Sequence, residues 1–560
     1  MGSKHKKNNG ISFHVSRVQL TRAIAVLTSL LWLWPSAAFS VTLTGAVKSL
    51  ELGPVVGAQI SAKNLDRGYT KTVFTDDQGE FRMVDLFPGQ YDITAVQIGF
   101  ETEKKNDIFV SEAGLSNIEF DLAHGADIAQ QVSGTSWIAA LPDGPLKRGF
   151  LLGCIGCHQF GDMITRAPRS REQWIATITN MKSKGLGSYQ VGHALMPGLS
   201  TEDLATWLVD SGFGTAGHSL RPEVPSPVTG AAAEIEIIEY DVGQPDSVLH
   251  DSTVGKEGYG WGLDYVHDTL HKIDPTSGAV TTYELPIKGA GAHTIHPDRN
   301  NILWITLQLV DMVASFDPNT EEFRLYGGFS LNSLPHSFAI DSLGYIEYDD
   351  EGNLWISEFT NNALASLNPE TGEVKEYPLP LTGTLPKTQV GVYGVAIDSL
   401  KNVWYTKLNE GVFGKLNSGT KKITQYEMPT KFSGPRRIGV DSQDRLWIPE
   451  FATSKVTVFD PLKLTFKSYP LPDKGDYPYA LRVDGTKDVV WICGTGSDSI
   501  YRLDPNTGEF TQFPLPNAYT FTRQLAIDYK TGDIWTSYSN IPNQWGDNPA
   551  AIVVRMQIAD

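Results

Sequence analysis

The chain has 560 residues, 41% of them apolar and 20% charged, with 53 Gly, 32 Pro and 3 Cys. That length implies more than one domain, and the apolar fraction excludes a chain without packed cores. Three cysteines are too few for a disulfide framework, and a formal charge of −18 argues against nucleic acid as a partner, because an acidic surface repels phosphates.

The charge is unevenly placed. Residues 1–40 hold Lys4, Lys6, Lys7, Arg17 and Arg22 and no acid, followed by the apolar run AIAVLTSLLWLW (23–34), Pro35 and small residues up to Ser40. A basic flank, a short apolar core and an Ala-x-Ser end predict a signal peptide over 1–40, cleaved near Ser40. The run is too short for a bilayer span of about 20 residues. Removing this leader leaves 41 basic and 64 acidic residues, net −23, and no other segment apolar enough to span. The expectation is an exported, periplasmic protein with no membrane span after signal cleavage.

Residues 41–122 alternate polar and apolar in short runs such as VTLTGAV and GQYDITAVQI, broken by DDQG (76–79) and FPGQ (87–90). That period predicts a small β-sandwich. TDDQGEFRMVDLFPGQYDITAVQIGFE (75–101) resembles the carboxypeptidase-regulatory-like, transthyretin-like module. The resemblance implies a carbohydrate-binding-like sandwich that binds or packs, and no chemistry.

Residues 123–218 change to helical periodicity in REQWIATITNMKSKG (171–185) and TEDLATWLVDSG (201–212), the second opening at Ser200, an oxygen side chain able to cap free amides. The sharpest motif, CIGCH (154–158), stands before them. Two thiols three apart reach the vinyl groups of one haem, and the adjacent His becomes its iron ligand. A zinc half-site would need a second pair, but Cys493 is alone. This region resembles a small c-type cytochrome, which implies one covalent haem c, thioether links at Cys154 and Cys157, and His158 as proximal ligand. Two methionines compete for the distal position. Met196, in ALMPGLSTEDLATWLV, matches the usual Met-Pro loop. Met181 closes an RxxWxxxIxxM helix with Arg171, Trp174 and Ile178, and the reading leans towards it. His193 is a weaker third.

A Pro-rich linker (219–232) leads into residues 233–560, which are governed by a repeat. Trp261, Trp304, Trp355, Trp404, Trp447, Trp491 and Trp535 are 43, 51, 49, 43, 44 and 44 residues apart. Thirteen residues after the first six stand Asp274, Asp317, Asn368, Asn417, Asp460 and Asp504, each opening a turn. This period predicts a β-propeller, with AEIEIIEYDV (233–242) as the outer strand of the last blade. The fold class expected is therefore multidomain and mainly β: an N-terminal β-sandwich, a small all-α cytochrome c domain and a C-terminal seven-bladed β-propeller.

The blades, with patterns such as LNPETGEVKEYPLP, resemble the streptogramin (virginiamycin B) lyase family. In that family two histidines and a glutamate gather at the channel beside magnesium and open a ring by elimination. The resemblance implies His293, His336 and Glu358 as catalytic residues, with Mg2+ at the mouth. Independently, five residues before the Asp that ends each inner strand stand His293, His336, Tyr393, Arg436, Tyr479 and Arg523, a polar ring facing one mouth. In the third repeat Asp341 and Asp349 compete for that Asp position. Three residues after the tryptophans come Leu307, Glu358, Lys407, Glu450, Gly494 and Tyr538, a second layer. Cys493 reads as a buried small apolar residue. His250, His267 and His271 near the first blade read equally as metal ligands or, in HDTLHKID, as strand surface.

The function expected is electron transfer by an exported haem protein whose propeller binds a small-molecule substrate or a redox partner protein. The alternatives are a propeller lyase carrying a haem domain and a non-catalytic haem-binding scaffold.

Overall fold

The computed structural model describes residues 41–155, 159, 167, 169–183, 200–213, 220–244, 246–539 and 551–558. The expected leader, Cys157, His158, His193 and Met196 lie outside the described residues.

The N-terminal module is a sandwich of short strands. One sheet orders β2 (Gly53–Pro54), β1 (Val41–Ser49) and β5 (Glu80–Leu86), with β8 (Leu115–Asp121) parallel to β1. The facing sheet orders β4 (Tyr69–Phe74), β3 (Gln59–Asn64), β6 (Gly89–Val96) and β7 (Glu103–Val110). Alternation sets the faces: Tyr91, Ile93 and Ala95 of β6 point inward onto Leu43, Phe81, Met83 and Phe120.

Six four-stranded antiparallel sheets follow, over residues 249–284, 292–326, 335–378, 392–427, 439–470 and 478–514. Each repeat tryptophan lies on the second strand of its sheet. In four of the seven the indole is bonded by the aspartate six residues earlier, as Trp355 Nε1 donates to Asp349 at 2.9 Å, Trp404 to Asp398 at 2.8 Å and Trp447 to Asp441 at 2.9 Å. Asp349 thus holds the repeat position in the third blade, while Asp341 closes an extra turn and pairs with Arg299. The residue 13 beyond each of the first six tryptophans accepts from backbone N–H groups in the next turn, as Asn417 Oδ1 does from Thr420 N at 2.8 Å and Asp504 Oδ1 from Asn506 N at 2.8 Å.

Two parts of the expected fold class need correction. The C-terminal region does not close as a self-contained seven-bladed ring. Strand β9 (Glu236–Asp241) does pair with the last strand, Ile552–Gln557, but its other edge pairs with β4, Tyr69 opposite Tyr240. The seventh group of strands is therefore half of an eight-stranded sheet that runs into the N-terminal module. An edge strand offers unpaired N–H and C=O groups, and here the sandwich satisfies them.

The second correction concerns the all-α cytochrome domain. The described helices are short: α1 (Ile128–Gln131), α2 (Gly134–Ala140), α3 (Pro145–Gly153), α4 (Arg171–Ser183) and α5 (Thr201–Asp210). Pro145 opens α3, and Ser200 caps α5 in a reciprocal box with Asp203. They pack on one another, Trp137 and Trp174 against Phe213 and Phe150 against Trp207, but close no core separate from the blades. Trp137, Phe150, Leu152, Ile155, Trp174 and Leu204 belong to one apolar cluster with Tyr393, Phe451, Tyr477, Tyr479 and Phe521 of the blades. Among the described residues no helix is long and apolar enough to cross a membrane.

Candidate functional site

The polar ring forms where the inner strands begin. His250, His293, His336, Tyr393 and Tyr479 stand within the first two residues of their strands, and Arg436 and Arg523 just before theirs. The ring centroids of His250 and His293 are 3.6 Å apart, His293 and His336 4.3 Å, and His336 and Tyr393 4.2 Å. The Tyr393 and Tyr479 hydroxyls are hydrogen-bonded to each other. The Arg436 guanidinium lies 3.7 Å over Phe451 and 4.2 Å over Tyr479, and reaches Tyr393 Oη at 3.3 Å.

The three histidines share one local design. Each Nδ1 is engaged by the residue that follows it: His250 with Asp251 Oδ1 at 2.9 Å, His293 with Thr294 Oγ1 at 3.0 Å, His336 with Ser337 Oγ at 2.9 Å. No hydrogen bond to their Nε2 atoms is made among the described residues. Burial pushes His250 down to about 4 and His293 and His336 well below the ordinary range, with neighbouring cations adding to the effect. At neutral pH these are uncharged imidazoles with their Nε2 edges available for proton transfer or hydrogen bonding. Below them Arg437 spans the channel, donating to Asp251 Oδ2 at 2.7 Å, Gln524 Oε1 at 3.0 Å and Thr294 Oγ1 at 3.2 Å. Burial disfavours ionisation of Asp251, but Arg437 and His250 together hold its carboxyl below the usual range.

Glu358 does not join this group. It pairs in register with Pro335, accepts from Asn361 Nδ2 at 2.7 Å and faces Glu376, and burial with that neighbour pushes it up to about 8. Two others of the second layer are engaged elsewhere: Lys407 pairs with Glu410 at 2.7 Å, and Tyr538 bonds Glu239. His267 and His271 are held by Asp264 and by Thr269 and Thr282 within the first blade. Cys493 is fully buried and its thiol is pushed up to about 12.

A magnesium ion takes oxygen ligands. The mouth instead offers imidazole nitrogens and guanidinium groups, with its carboxylate Asp251 engaged by Arg437. These residues do not fit that ion, and among the described residues no three His, Cys, Asp or Glu side chains are grouped to hold a metal.

Cys154, Ile155 and Gln159, the described residues in and beside CIGCH, stand next to the blades. Cys154 is the C-cap of α3, half-buried, its N–H bonded to Phe150 O at 2.9 Å. Gln159, next to His158 in sequence, is 2% exposed and enters the blades: its Nε2 donates to Thr495 O at 2.7 Å, to Asp498 Oδ1 at 2.6 Å and to Thr520 O. Thr135 N bonds Gly496 O at 2.9 Å. A Cβ at Gly434 would sit 2.6 Å from Leu152 Cδ2, and one at Gly475 would collide with Thr135 O and Ala139 N, so both positions need glycine for this close approach. Gly434, Gly475 and Thr520 belong to the segments that lead into the inner strands of the fifth to seventh blades, and Thr495, Gly496 and Asp498 to the turn between the second and third strands of the sixth.

The surroundings fit a haem. Trp174 is buried with an indole N–H that has no partner among the described residues, a donor suited to an anionic edge. On the same helix Ile178 is buried while Met181 is 51% exposed, so Met181 is not filling a core.

Sequence reasoning missed Asp251, Arg437 and Gln159, and named His250 without placing it in the ring. The first blade lacks the aspartate used as a ruler, but His250 stands eleven residues before Trp261, as His293 does before Trp304 and Tyr393 before Trp404. The distance to tryptophan was the usable signal. Arg437 and Gln159 carried none, since their partners come from distant blades.

Comparison with known families is consistent with the two β regions. The carboxypeptidase regulatory-like domain matches residues 42–123, and the virginiamycin B lyase family matches residues 382–546. No curated protein matches the chain. A streptogramin B lyase structure is 17% identical, with a TM-score of 0.50, covering 59% of this chain and 100% of that one. A catalytically inactive virginiamycin B lyase from Staphylococcus aureus with quinupristin is 19% identical, with a TM-score of 0.49, covering 58% and 100%. At these identities the likeness is one of fold, and the chain carries a virginiamycin B lyase-like β-propeller behind a carboxypeptidase regulatory-like domain.

Proposed function

We propose that the protein is an exported electron-transfer protein that carries one covalent haem on CIGCH and uses the propeller mouth to bind a substrate or a redox partner. Cys154 and Cys157 would hold the haem, His158 would be its proximal ligand, and Met181 or Met196 its distal one. When bound, the haem supplies one-electron chemistry at a potential raised by a thioether ligand. The observation that supports the reading is the burial of Gln159, the residue after the motif, in loops of the blades that also carry His250, His293 and His336. There Gln159 and the glycine contacts fix the loop, the aromatic side chains of the shared cluster exclude water, and the open Nε2 atoms can accept or deliver protons. The acidic surface favours a basic or neutral partner and makes encounter salt-dependent.

A visible spectrum and redox titration of protein matured with haem in a periplasm test this. A low-spin spectrum is expected, altered by Met181→Ala or by Met196→Ala but not by both. Absence of covalent haem would overturn the reading.

A second reading, elimination at the mouth, is favoured by the adjacent His293 and His336 rings. It lacks the expected glutamate, because Glu358 faces Asn361 and Glu376. Under it His336→Ala abolishes turnover of a cyclic ester while loss of haem leaves turnover intact, and the opposite pattern excludes it.

A further inference from the structure

We propose that the propeller mouth takes a carboxylate from outside the polypeptide, gripped by Arg436 with the His293 and His336 edges beside it. Arg436 is 4% exposed, and its Nε has no hydrogen-bond partner. Among the described residues its guanidinium bonds one side chain, the neutral Tyr393 hydroxyl, and forms no ion pair. Phe451 and Tyr479 cover its faces, at 3.7 and 4.2 Å, so an anion must approach its edge. Neighbouring Arg437 shows the alternative: equally buried, it is answered by Asp251 at 2.7 Å. A buried cation without a counter-charge is costly, and a planar fork of N–H donors matches a carboxylate. The net-negative chain thus keeps an unanswered arginine where three imidazoles leave Nε2 unbonded.

The inference rests on the mouth being a binding site and does not require the haem. Two carboxylates could meet Arg436, a free acid entering the mouth or a propionate of a haem on Cys154 and Cys157. Acetate and benzoate serve as probes in calorimetric titrations of the full chain, both haem-matured and as the Cys154→Ser/Cys157→Ser variant. If the source is a free acid, one probe binds both forms, and Arg436→Gln weakens it about tenfold or more in each with the haem potential unmoved. If it is a propionate, the probe binds the haem-free form alone, Arg436→Gln abolishes that binding, and in the matured form it lowers the midpoint potential. Should Arg436→Gln fail to fold, Arg436→Lys is expected to weaken the probe, because one ammonium replaces a two-pronged donor. Neither probe binding the haem-free form, or equal binding to the variant with an unchanged potential, overturns the proposal. A wild-type chain that takes up no haem defeats the electron-transfer reading alone, since the haem-free titration still decides this one.

Discussion

In five blades the tryptophan packs in a cluster of its own and adjacent sheets, and in four its indole is tied to an aspartate six residues away. The helical segment differs. Trp137, Phe150, Leu152 and Ile155 belong to a cluster that includes Phe213 of their own segment and continues into Tyr393, Phe451 and Tyr479 of the blades, more than two hundred residues away. Local closure makes the blades repetitive and readable. Shared burial couples the helical segment to the propeller, and it ties Ile155 and Gln159 to the blades.

The largest effect expected from breaking this contrast is on a blade. Trp404→Ala removes a fully buried indole and its bond to Asp398 and should cost about 3–5 kcal/mol of stability, seen as one cooperative drop in a denaturant titration. A drop confined to the helical segment would contradict the blade's independence. Gln159→Ala leaves Asp498 and two carbonyls short of a donor and should cost about 1–3 kcal/mol, concentrated at the interface. Limited proteolysis should then cut the helical segment first while the blades resist. Equal resistance of both would show that the segment stands alone.

The smallest effect is a pH dependence. Burial raises Asp498 to about 7, against the hydrogen bonds that favour its ionised form. Its folded pKa is above the unfolded one, so its contribution is complete below about pH 4 and is lost as the pH rises through 7. The melting temperature of wild type should therefore fall relative to Asp498→Asn across that window. Parallel curves would mean the Gln159 anchor does not depend on the proton. Other buried acids such as Glu239, at about 7, move in the same direction, so the difference between the two proteins is the informative quantity.

What was legible in the sequence follows the same contrast. The sandwich alternation, the repeat period, the turn-forming Asp and Asn residues and the ring of His, Tyr and Arg are local patterns, and they stand where the spacing put them. What was not legible depends on surfaces meeting. The joining of β4 to β9 leaves no periodic trace, so the last sheet was read as an ordinary blade. The helices were read as a domain because their periodicity says which face is buried, not against what. Glu358 shares its offset from tryptophan with residues at equivalent places, but its carboxylate is engaged by Asn361 and Glu376 of its own blade.

The measurement that bears most directly on the account is thiol alkylation of the unfolded chain after haem maturation in a periplasm, read by mass on the peptide containing residues 150–160. The account predicts that Cys154 and Cys157 are both protected by thioether links while Cys493 is alkylated. Alkylation of all three cysteines would contradict it.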